Sequence, residues 1–563
     1  MKLGIRSKPA PALPPNWRGA RPSVLAFVAS FAALIVSAEV RINVYDEGFV
    51  LFDAWRILNG DVPYRDFWTQ HAPGQFYLLA ALFKIFGPSV VVERLLDTVI
   101  KAAILTTCFV IIDTWASRRF AVMGWCLCAV WLMYLPFRGF PLFPAILFCL
   151  LSVHFMGSFL ISACRHRLFF AGLCGGATAL FRHDVGLYIC LTSALFLSGY
   201  LLNRKRIDLR HAAISLLRLL TIFAGGVAVV TLPPVLLLLT SVPVKDWWFS
   251  LFFVPGQIYP ATRALPFPDL IPALLALLQS GNADGLIELS VYSPLIITTV
   301  CTVILVLQLR KQNTGVAGGR HAMRRSFCAL LALASASLYA KGIVRTSPIH
   351  VIQSIIFSIV LLQICASAVC TGATGYKVAI AACFACILAP SIPVLLRALD
   401  SSRTNVIAGT HLFNPAFCTS EFDGDNCFSV SRDFSHARQY IASNSAPQDT
   451  IFVGAGRHDK IFANDVSFYF LTRRMSATKW HQLHPGVQTR RDIQTEMISE
   501  MTLRRPLYVV LDTEWDNARE PNLSAQSSGN TFLDQYIETH YTEAASFGTY
   551  HIYGLRTDLG KTN

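Results

Sequence analysis

Long apolar runs, separated by short polar turns, fill roughly the first 400 residues of the chain. Four of these runs, at 22–40, 212–241, 287–309 and 351–369, meet or approach the roughly 20 apolar residues that a spanning helix requires. Lipid offers no partner to free backbone groups, so each span must be a helix. The pattern predicts a polytopic α-helical membrane protein.

The spacing of the runs and turns predicts about eleven spans. They cover residues 22–41, 90–112, 120–136, 141–163, 168–182, 185–202, 212–240, 286–309, 326–342, 349–370 and 377–396. A cleaved signal peptide ending near Val36-Ser37-Ala38 is the alternative for the first span. The run 75–86 is also apolar, but a helix of that length reaches only about 18 Å. We predict that it lies in the membrane interface and ends at Gly87-Pro88.

Basic residues predict the orientation of the spans. The tail at 1–21 carries Lys2, Arg6, Lys8, Arg18 and Arg21 and no acidic residue, which places it in the cytoplasm. Alternation then puts the other strongly basic turns on the same side. An odd number of spans leaves the C-terminus outside. The formal charge of +14 follows from these turns, so we do not interpret it as a sign of nucleic-acid binding.

The composition changes at about residue 400, where the long apolar runs stop and polar residues become frequent. Segments 450–454, 507–511 and 549–555 are predicted as strands, and 435–443 and 489–501 as helices. We therefore divide the chain into the tail 1–21, a transmembrane domain 22–399 with a long first outer loop 42–89, and a small extracytoplasmic α/β domain 400–563. In this last part Cys418 and Cys427 could form a disulfide.

The acidic pair Asp46-Glu47 directly follows the first span. Adjacent carboxylates at a bilayer surface repel each other and are partly desolvated, which is costly. We interpret the pair as holding a cation or as taking a proton from a reacting hydroxyl. The alternative is that Asp46 caps the helix that follows it.

The rest of the first outer loop resembles a known family. After Asp46-Glu-Gly48 come Gly60-Asp-Val-Pro-Tyr-Arg-Asp66, His71-Ala-Pro-Gly-Gln-Phe-Tyr77, Phe86-Gly-Pro88 and Glu93-Arg94. Over about 40–95 this order resembles the GT-C glycosyltransferases, in particular relatives of protein O-mannosyltransferases and lipid A aminoarabinose transferases. The aminoarabinose-type relatives tend to have Lys-Pro where this chain has His71-Ala72-Pro73, so the resemblance does not identify the sugar.

The resemblance implies transfer of a sugar from a polyprenyl-phosphate donor to a glycan, lipid or protein acceptor. The reaction would occur with inversion at the outer face of a bacterial plasma (inner) membrane. Asp46 would be the general base, and Glu47 a second acid or a metal ligand. The chemistry itself asks for a base near the acceptor hydroxyl and for cations near the leaving phosphate.

Further polar residues at the predicted outer ends of the spans are candidates for substrate contacts. They are Asp66, His71, Arg182, Asp184, Arg345 and His350. The planar fork of Arg345 suits phosphate. If a divalent metal takes part, Glu47 and His71 are the candidate ligands, and no other cofactor is expected. The alternatives are an ordinary loop surface, a structural Arg182–Asp184 pair, and snorkelling by Lys341 and Arg345.

Two other classes of protein remain open. A transporter or flippase for a lipid-linked sugar would place charges near the bilayer midplane, whereas these charges fall at span ends. A noncatalytic scaffold would bind glycan through its outer domain. That domain has a polar cluster, which could shape acceptor binding but which we interpret as a solvated loop face outside the site. Its members are His458, Asp459, Asn464, Asp465 and His484, interspersed with 468–470 and Trp480.

Overall fold

The computed structural model describes most of the chain. The described residues are 21–38, 41–134, 138–202, 209–280, 283–311, 319–369, 374–408 and 430–556. Most of the predicted tail 1–21 and both Cys418 and Cys427 lie outside these residues, so the predicted disulfide stays a prediction.

Helices dominate the chain up to residue 408. In chain order they are α1 (Arg21–Val36), α2 (Asp46–Leu58), α3 (Gly74–Phe86), α4 (Val90–Trp115), α5 (Arg118–Tyr134), α6 (Leu142–Ser162), α7 (Arg165–Phe181), α8 (His183–Leu202), α9 (Leu209–Ser241), α10 (Val244–Trp248), a π-helix (Phe249–Ile258), α11 (Tyr259–Arg263), α12 (Leu270–Ser280), α13 (Asp284–Leu289), α14 (Tyr292–Lys311), α15 (Gly319–Gly342), α16 (Ile352–Val369) and α17 (Thr374–Ala408).

Each predicted span coincides with one of these helices, except 286–309, which covers both α13 and α14. Within the described residues, seven helical segments are long and apolar enough to cross a membrane. They are Val90–Trp115, Leu142–Ser162, His183–Leu201, Arg210–Ser241, Asp284–Gln308, Ile352–Val369 and Thr374–Val406. The predicted helical membrane fold is therefore confirmed, while the count of eleven and the N-in, C-out orientation stay predictions.

Small residues let two of the membrane helices approach closely. A Cβ on Gly172 of α7 would lie 2.0 Å from the carbonyl oxygen of Phe223 in α9. A Cβ on Gly226 would lie 2.2 Å from the carbonyl oxygen of Phe169. Close backbone contact is the main source of helix association in lipid, where apolar side chains gain little by leaving the solvent.

The C-terminal part is an α/β unit. Its elements are α18 (Arg432–Asn444), β1 (Thr450–Ala455), α19 (Ser467–Thr472), β2 (Met475–Ser476), α20 (Arg491–Arg504), β3 (Tyr508–Asp512), a 3₁₀ turn (Leu523–Ala525), α21 (Phe532–His540), β4 (Tyr541–Phe547) and β5 (Tyr550–Leu555). The sheet order is β2-β1-β3-β5-β4. β1 is parallel to β2 and β3, whereas β5 is antiparallel to β3 and β4.

The predicted strands and helices of this part are all present, but β2, β4, α19 and α21 were not predicted. β2 has only two residues, and β4 lies at the edge of the sheet with mostly exposed or half-buried side chains. Neither segment has the apolar alternation that indicates a strand in a sequence.

The first outer loop and the C-terminal unit share one hydrophobic core. It joins Phe49 and Phe52 of α2 and Phe76 of α3 to Phe468 and Tyr469 of α19. Phe52 stacks on Tyr469 with ring centroids 4.7 Å apart. The opposite face of α3 leaves Tyr77, Leu78, Ile85 and Phe86 exposed, as expected for a helix in a membrane interface.

A buried polar network reinforces this contact. Asp53 of α2 accepts hydrogen bonds from His481 Nε2 and Gln482 Nε2, both at 2.7 Å. The backbone N–H of Ser467 donates to the Val44 carbonyl oxygen at 2.9 Å, and a Cβ on Gly48 would lie 2.5 Å from the same nitrogen. The first turn of α2 is therefore held directly against α19.

The interpretation of the C-terminal polar cluster as a solvated face is wrong. His458, Asn464 and Asp465 are fully buried, and His484 is only 2% exposed. These side chains lie inside a packed unit, where some of them form hydrogen bonds to backbone groups of its loops. The Asn464 amide, for example, donates to the carbonyl oxygens of Val453 and His481 at 3.0 and 2.9 Å.

Candidate active site

A cavity of about 500 Å³ lies where the membrane helices, the first outer loop and the C-terminal unit meet. Asp46 and His71 reach it from the first outer loop, Arg182, Asp184, Arg345 and His350 from the ends of membrane helices. The structure thus gathers six of the eight predicted site residues around one space. Glu47 and Asp66 are not among the residues that line it.

Asp46 is the first residue of α2 and does not cap that helix. The cap is made by Asn43, whose side-chain oxygen accepts from the backbone N–H groups of Tyr45 at 3.2 Å and Asp46 at 2.8 Å. The Asp46 carboxylate accepts one long hydrogen bond from Asn43 Nδ2, at 3.4 Å. Among the described residues this is the only hydrogen bond that the carboxylate accepts, and Asp46 lines the cavity.

Burial raises the pKa of Asp46 to about 6, although Arg263, the Asn43 side chain and Arg345 act against this rise. A carboxyl group with this pKa is ionised at neutral pH, and it binds a proton more readily than an ordinary aspartate. These are the properties that a general base needs.

Glu47 belongs to the packed interior. Arg94 of α4 donates to both of its oxygens, from Nε at 2.7 Å and from Nη2 at 3.1 Å. The backbone N–H of Asn43 donates to Oε2 at 3.1 Å. The side chains of both partners are at most 1% exposed. This pair ties the segment that carries Asp46 to α4, so the structure gives Glu47 an anchoring position behind the cavity.

One pair of cations lies on the membrane side of the cavity. Arg182 makes a two-pronged contact with Asp184, from Nε at 3.0 Å and from Nη2 at 2.7 Å. Lys341 Nζ is 3.5 Å from Oδ2 of the same carboxylate. Two positive charges thus share a single negative charge here, which leaves an excess of positive charge facing the cavity.

A second pair of cations lies beside Asp46. Arg345 Nη1 donates to Glu520 Oε2 at 2.8 Å and to the Arg263 carbonyl oxygen at 2.8 Å. Arg263 Nη1 is 3.9 Å from Glu520 Oε2, and the Arg263 guanidinium also donates to the Phe462 carbonyl oxygen. Again two cations share one carboxylate.

His71 contributes a neutral imidazole. Burial, and then the positive charge of Arg182, lower its pKa well below the ordinary value, and its ring stacks on Phe49 at 5.0 Å. His350 shares a 2.7 Å hydrogen bond with the Ser347 hydroxyl. Asp66 instead pairs with Arg65 at 2.7 Å and accepts from the Val62 backbone N–H at 2.7 Å, which explains its distance from the site.

Several lining residues were not predicted. They are Tyr259 and Arg263 of α11, Lys341 at the end of α15, and Phe462, His484 and Trp515 of the C-terminal unit. Arg263 could have been suspected, because it is a charged residue in a long outer loop rich in prolines and aromatic residues. The three C-terminal residues lie more than 400 positions from Asp46, and no local pattern indicates their approach.

The prediction of a divalent metal held by Glu47 and His71 finds little support in the positions of these side chains. Among the described residues, no group of three or more His, Cys, Asp and Glu side chains is arranged to hold a metal ion. Glu47 is engaged by Arg94, so it does not meet His71 at the cavity surface. A divalent metal thus stays a prediction.

The helical membrane part, the first outer loop and the C-terminal α/β unit together match the fold of a solved GT-C glycosyltransferase, ArnT. The chain is similar to ArnT from Cupriavidus metallidurans in the apo state, with a TM-score of 0.56, 14% identity, and 97% of this chain and 100% of that chain covered. For the same ArnT bound to undecaprenyl phosphate, the TM-score is 0.50 at 13% identity, with 97% of this chain and 100% of that chain covered.

An oligosaccharyltransferase from Archaeoglobus fulgidus in complex with Zn and sulfate is also matched. The TM-score is 0.46 at 14% identity, with 95% of this chain and 73% of that chain covered. No protein-family model and no curated protein matches the chain by sequence. The similarity to ArnT confirms the predicted resemblance at the level of the fold.

Proposed function

We propose that the protein transfers a sugar from a polyprenyl-phosphate donor to an acceptor hydroxyl at the outer face of the membrane, with inversion of the anomeric centre. The observation that carries this proposal is the cavity itself. One accessible aspartate with a raised pKa and four cationic side chains, Arg182, Arg263, Lys341 and Arg345, line the same space among the described residues.

Each part of the reaction has a suitable group. The acceptor hydroxyl donates a hydrogen bond to Asp46, and the carboxylate takes its proton as the oxygen attacks the anomeric carbon. The bond between that carbon and the phosphate oxygen breaks, and polyprenyl phosphate leaves with the bonding electrons. Cations placed where negative charge develops lower the barrier to such a step.

A single displacement fits the carboxylates at the cavity. Asp184, the other carboxylate among the described lining residues, is already bound by Arg182 and Lys341. Asp46 therefore acts alone on the acceptor, and a single attack from the face opposite the phosphate inverts the anomeric centre.

The position of the cavity fits a donor that is anchored in lipid. Arg182 lies between α7 and α8, and Lys341 is one residue from the end of α15, so these cations meet the cavity at helix ends. The fold is shared with ArnT, which has been crystallised with undecaprenyl phosphate. We assign the membrane-side pair Arg182–Lys341 to the phosphate of the donor.

The test uses purified protein in lipid with a panel of polyprenyl-phosphate sugars and acceptors. We expect release of free polyprenyl phosphate together with a new glycosidic product. A flippase would move the donor across the bilayer without releasing polyprenyl phosphate. Movement without release, by folded protein on a broad panel, would replace the enzyme proposal with the flippase alternative.

The raised pKa of Asp46 predicts the pH dependence of the reaction. A general base works in its ionised form, so activity should be maximal above about pH 6 and should fall about tenfold per pH unit below it. Initial rates at saturating and at low substrate, between pH 4.5 and 8, measure this limb. A flat profile through that range would contradict the role of Asp46.

A further inference from the structure

Three loops of the C-terminal unit form one wall of the cavity that Asp46 lines. Phe462 follows β1, His484 follows β2 and Trp515 follows β3, and all three residues line the cavity. β2, β1 and β3 are neighbouring parallel strands, so these loops leave the same edge of the sheet. The carboxyl edge of parallel strands is the place where open α/β sheets bind their ligands.

The wall is aromatic. The rings of Phe462 and Trp515 stack with centroids 5.7 Å apart and an angle of 20° between their planes. The Arg263 guanidinium lies 4.7 Å from the centroid of the Phe462 ring, so the wall is continuous with the cations beside Asp46. Aromatic rings offer a broad apolar surface together with a polar edge.

The wall also offers hydrogen-bonding groups without partners. His484 Nδ1 donates to the Pro485 carbonyl oxygen at 2.8 Å, which leaves Nε2 as an acceptor. Burial and the charge of Arg263 lower the pKa of His484 to about 3, so the ring stays neutral. His484 Nε2 and Trp515 Nε1 are both buried, and neither has a hydrogen-bond partner among the described residues. Buried polar groups of this kind are costly unless a ligand satisfies them.

We propose that Phe462, Trp515 and His484 form a binding subsite for a sugar ring. A pyranose or furanose presents an apolar C–H face, which suits the stacked rings, and hydroxyl groups at its edge. One hydroxyl can donate to His484 Nε2, and another can accept from Trp515 Nε1–H.

The sugar ring could belong to the donor or to a saccharide acceptor. The inference rests on the proposed function only in naming these two sources. In both cases the subsite adjoins Asp46 through Arg263, which contacts the Phe462 ring and acts electrostatically on the Asp46 carboxylate. The experiment separates the two sources by measuring binding and turnover independently.

The main variant is Trp515→Ala, with Trp515→Phe as the conservative change. Trp480→Phe is the matched control, because Trp480 lies in the same unit, is 4% exposed and packs on Trp68 at 5.8 Å. Three quantities are measured for each folded variant: the Kd of bare polyprenyl phosphate, the Kd of the polyprenyl-phosphate sugar, and KM for a saccharide acceptor.

We expect Trp515→Ala to weaken the binding of a sugar-bearing ligand by about 3- to 10-fold, the usual range for loss of an aromatic contact. The Kd of bare polyprenyl phosphate should be unchanged. A weaker donor Kd assigns the subsite to the donor sugar, and a raised acceptor KM with unchanged donor Kd assigns it to the acceptor. Trp515→Phe should keep most of the affinity, and Trp480→Phe all of it.

Two results would overturn the subsite. One is an equal rise in the Kd of polyprenyl phosphate with and without its sugar. The other is no change in either the donor Kd or the acceptor KM. The binding arms need no turnover. A sugar-dependent Kd that is lost in Trp515→Ala, found in protein that never releases polyprenyl phosphate, would keep the subsite and reject the transferase.

Discussion

Replacement of Asp46 with Asn should reduce sugar transfer by about 10²- to 10⁴-fold, the usual contribution of a general base. The amide has the same shape as the carboxylate and cannot accept the acceptor proton. The cap of α2 should persist, since the Asn43 side-chain oxygen makes it with backbone N–H groups, and the long 3.4 Å hydrogen bond from Asn43 Nδ2 can be accepted by an amide oxygen as well. The Kd of bare polyprenyl phosphate should change little, because the assigned phosphate site is Arg182 and Lys341.

Release of polyprenyl phosphate and formation of product are measured side by side in both proteins. Asp113→Asn serves as the control, because Asp113 forms a surface pair with Arg118 and does not line the cavity. Equal turnover by wild type and Asp46→Asn would leave an enzyme but remove Asp46 as its base. Loss of binding together with turnover would point to a structural role instead.

Replacement of Arg94 with Met should destabilise the protein by about 3–5 kcal/mol, the cost expected when one partner of a buried ion pair is removed. The change leaves Glu47 as a buried carboxylate without its cation, since both side chains are at most 1% exposed. The first turn of α2 should shift as well, because Glu47 also accepts from the backbone of Asn43. Unfolding by heat or denaturant in detergent measures the loss.

Two variants give this result its meaning. Arg118→Met removes a pair whose Arg side chain is 52% exposed, and it should cost at most about 1 kcal/mol. The double change Glu47→Gln with Arg94→Met removes both charges and should recover part of the stability. If Arg94→Met and Arg118→Met had the same small effect, Glu47 would not depend on Arg94.

Hydrophobic periodicity was enough to predict most of the fold. The membrane helices were predicted because each carries a long apolar run, and β1 and β3 because they are short buried runs between polar segments. Boundaries differ where helices extend beyond the apolar run. α17, for example, continues to Ala408 and crosses the predicted domain boundary at 399/400.

The predicted residues that line the cavity were found where charge interrupts an apolar pattern, apart from His71, which was found in the loop segment 71–77. Asp46, Arg182 and Arg345 lie at the ends of apolar runs, where a charged residue is energetically costly and therefore indicates a function. Glu47 has the same setting in the sequence, yet its side chain points to α4 rather than to the cavity, since adjacent residues of a helix face different directions. Sequence position alone cannot distinguish the two carboxylates.

The remaining lining residues depend on tertiary contacts. Trp515 and His484 reach the cavity only because the sheet edge faces the membrane part, and that placement follows from the packing of α19 on α2. Trp515 has no neighbours in the sequence that indicate a site, and His484 belongs to the polar cluster that was interpreted as a solvated loop face. Such residues are found from a structure and then become the most informative targets for mutation.

The core shared by the first outer loop and the C-terminal unit also has a consequence for biosynthesis. α2 cannot reach its final position until α19 and the loop with His481 and Gln482 are present to receive it. β1 and β3 in turn complete their sheet with β5, close to the end of the chain. The nascent chain therefore carries Asp46 without the assembled cavity around it until β5 has been synthesised.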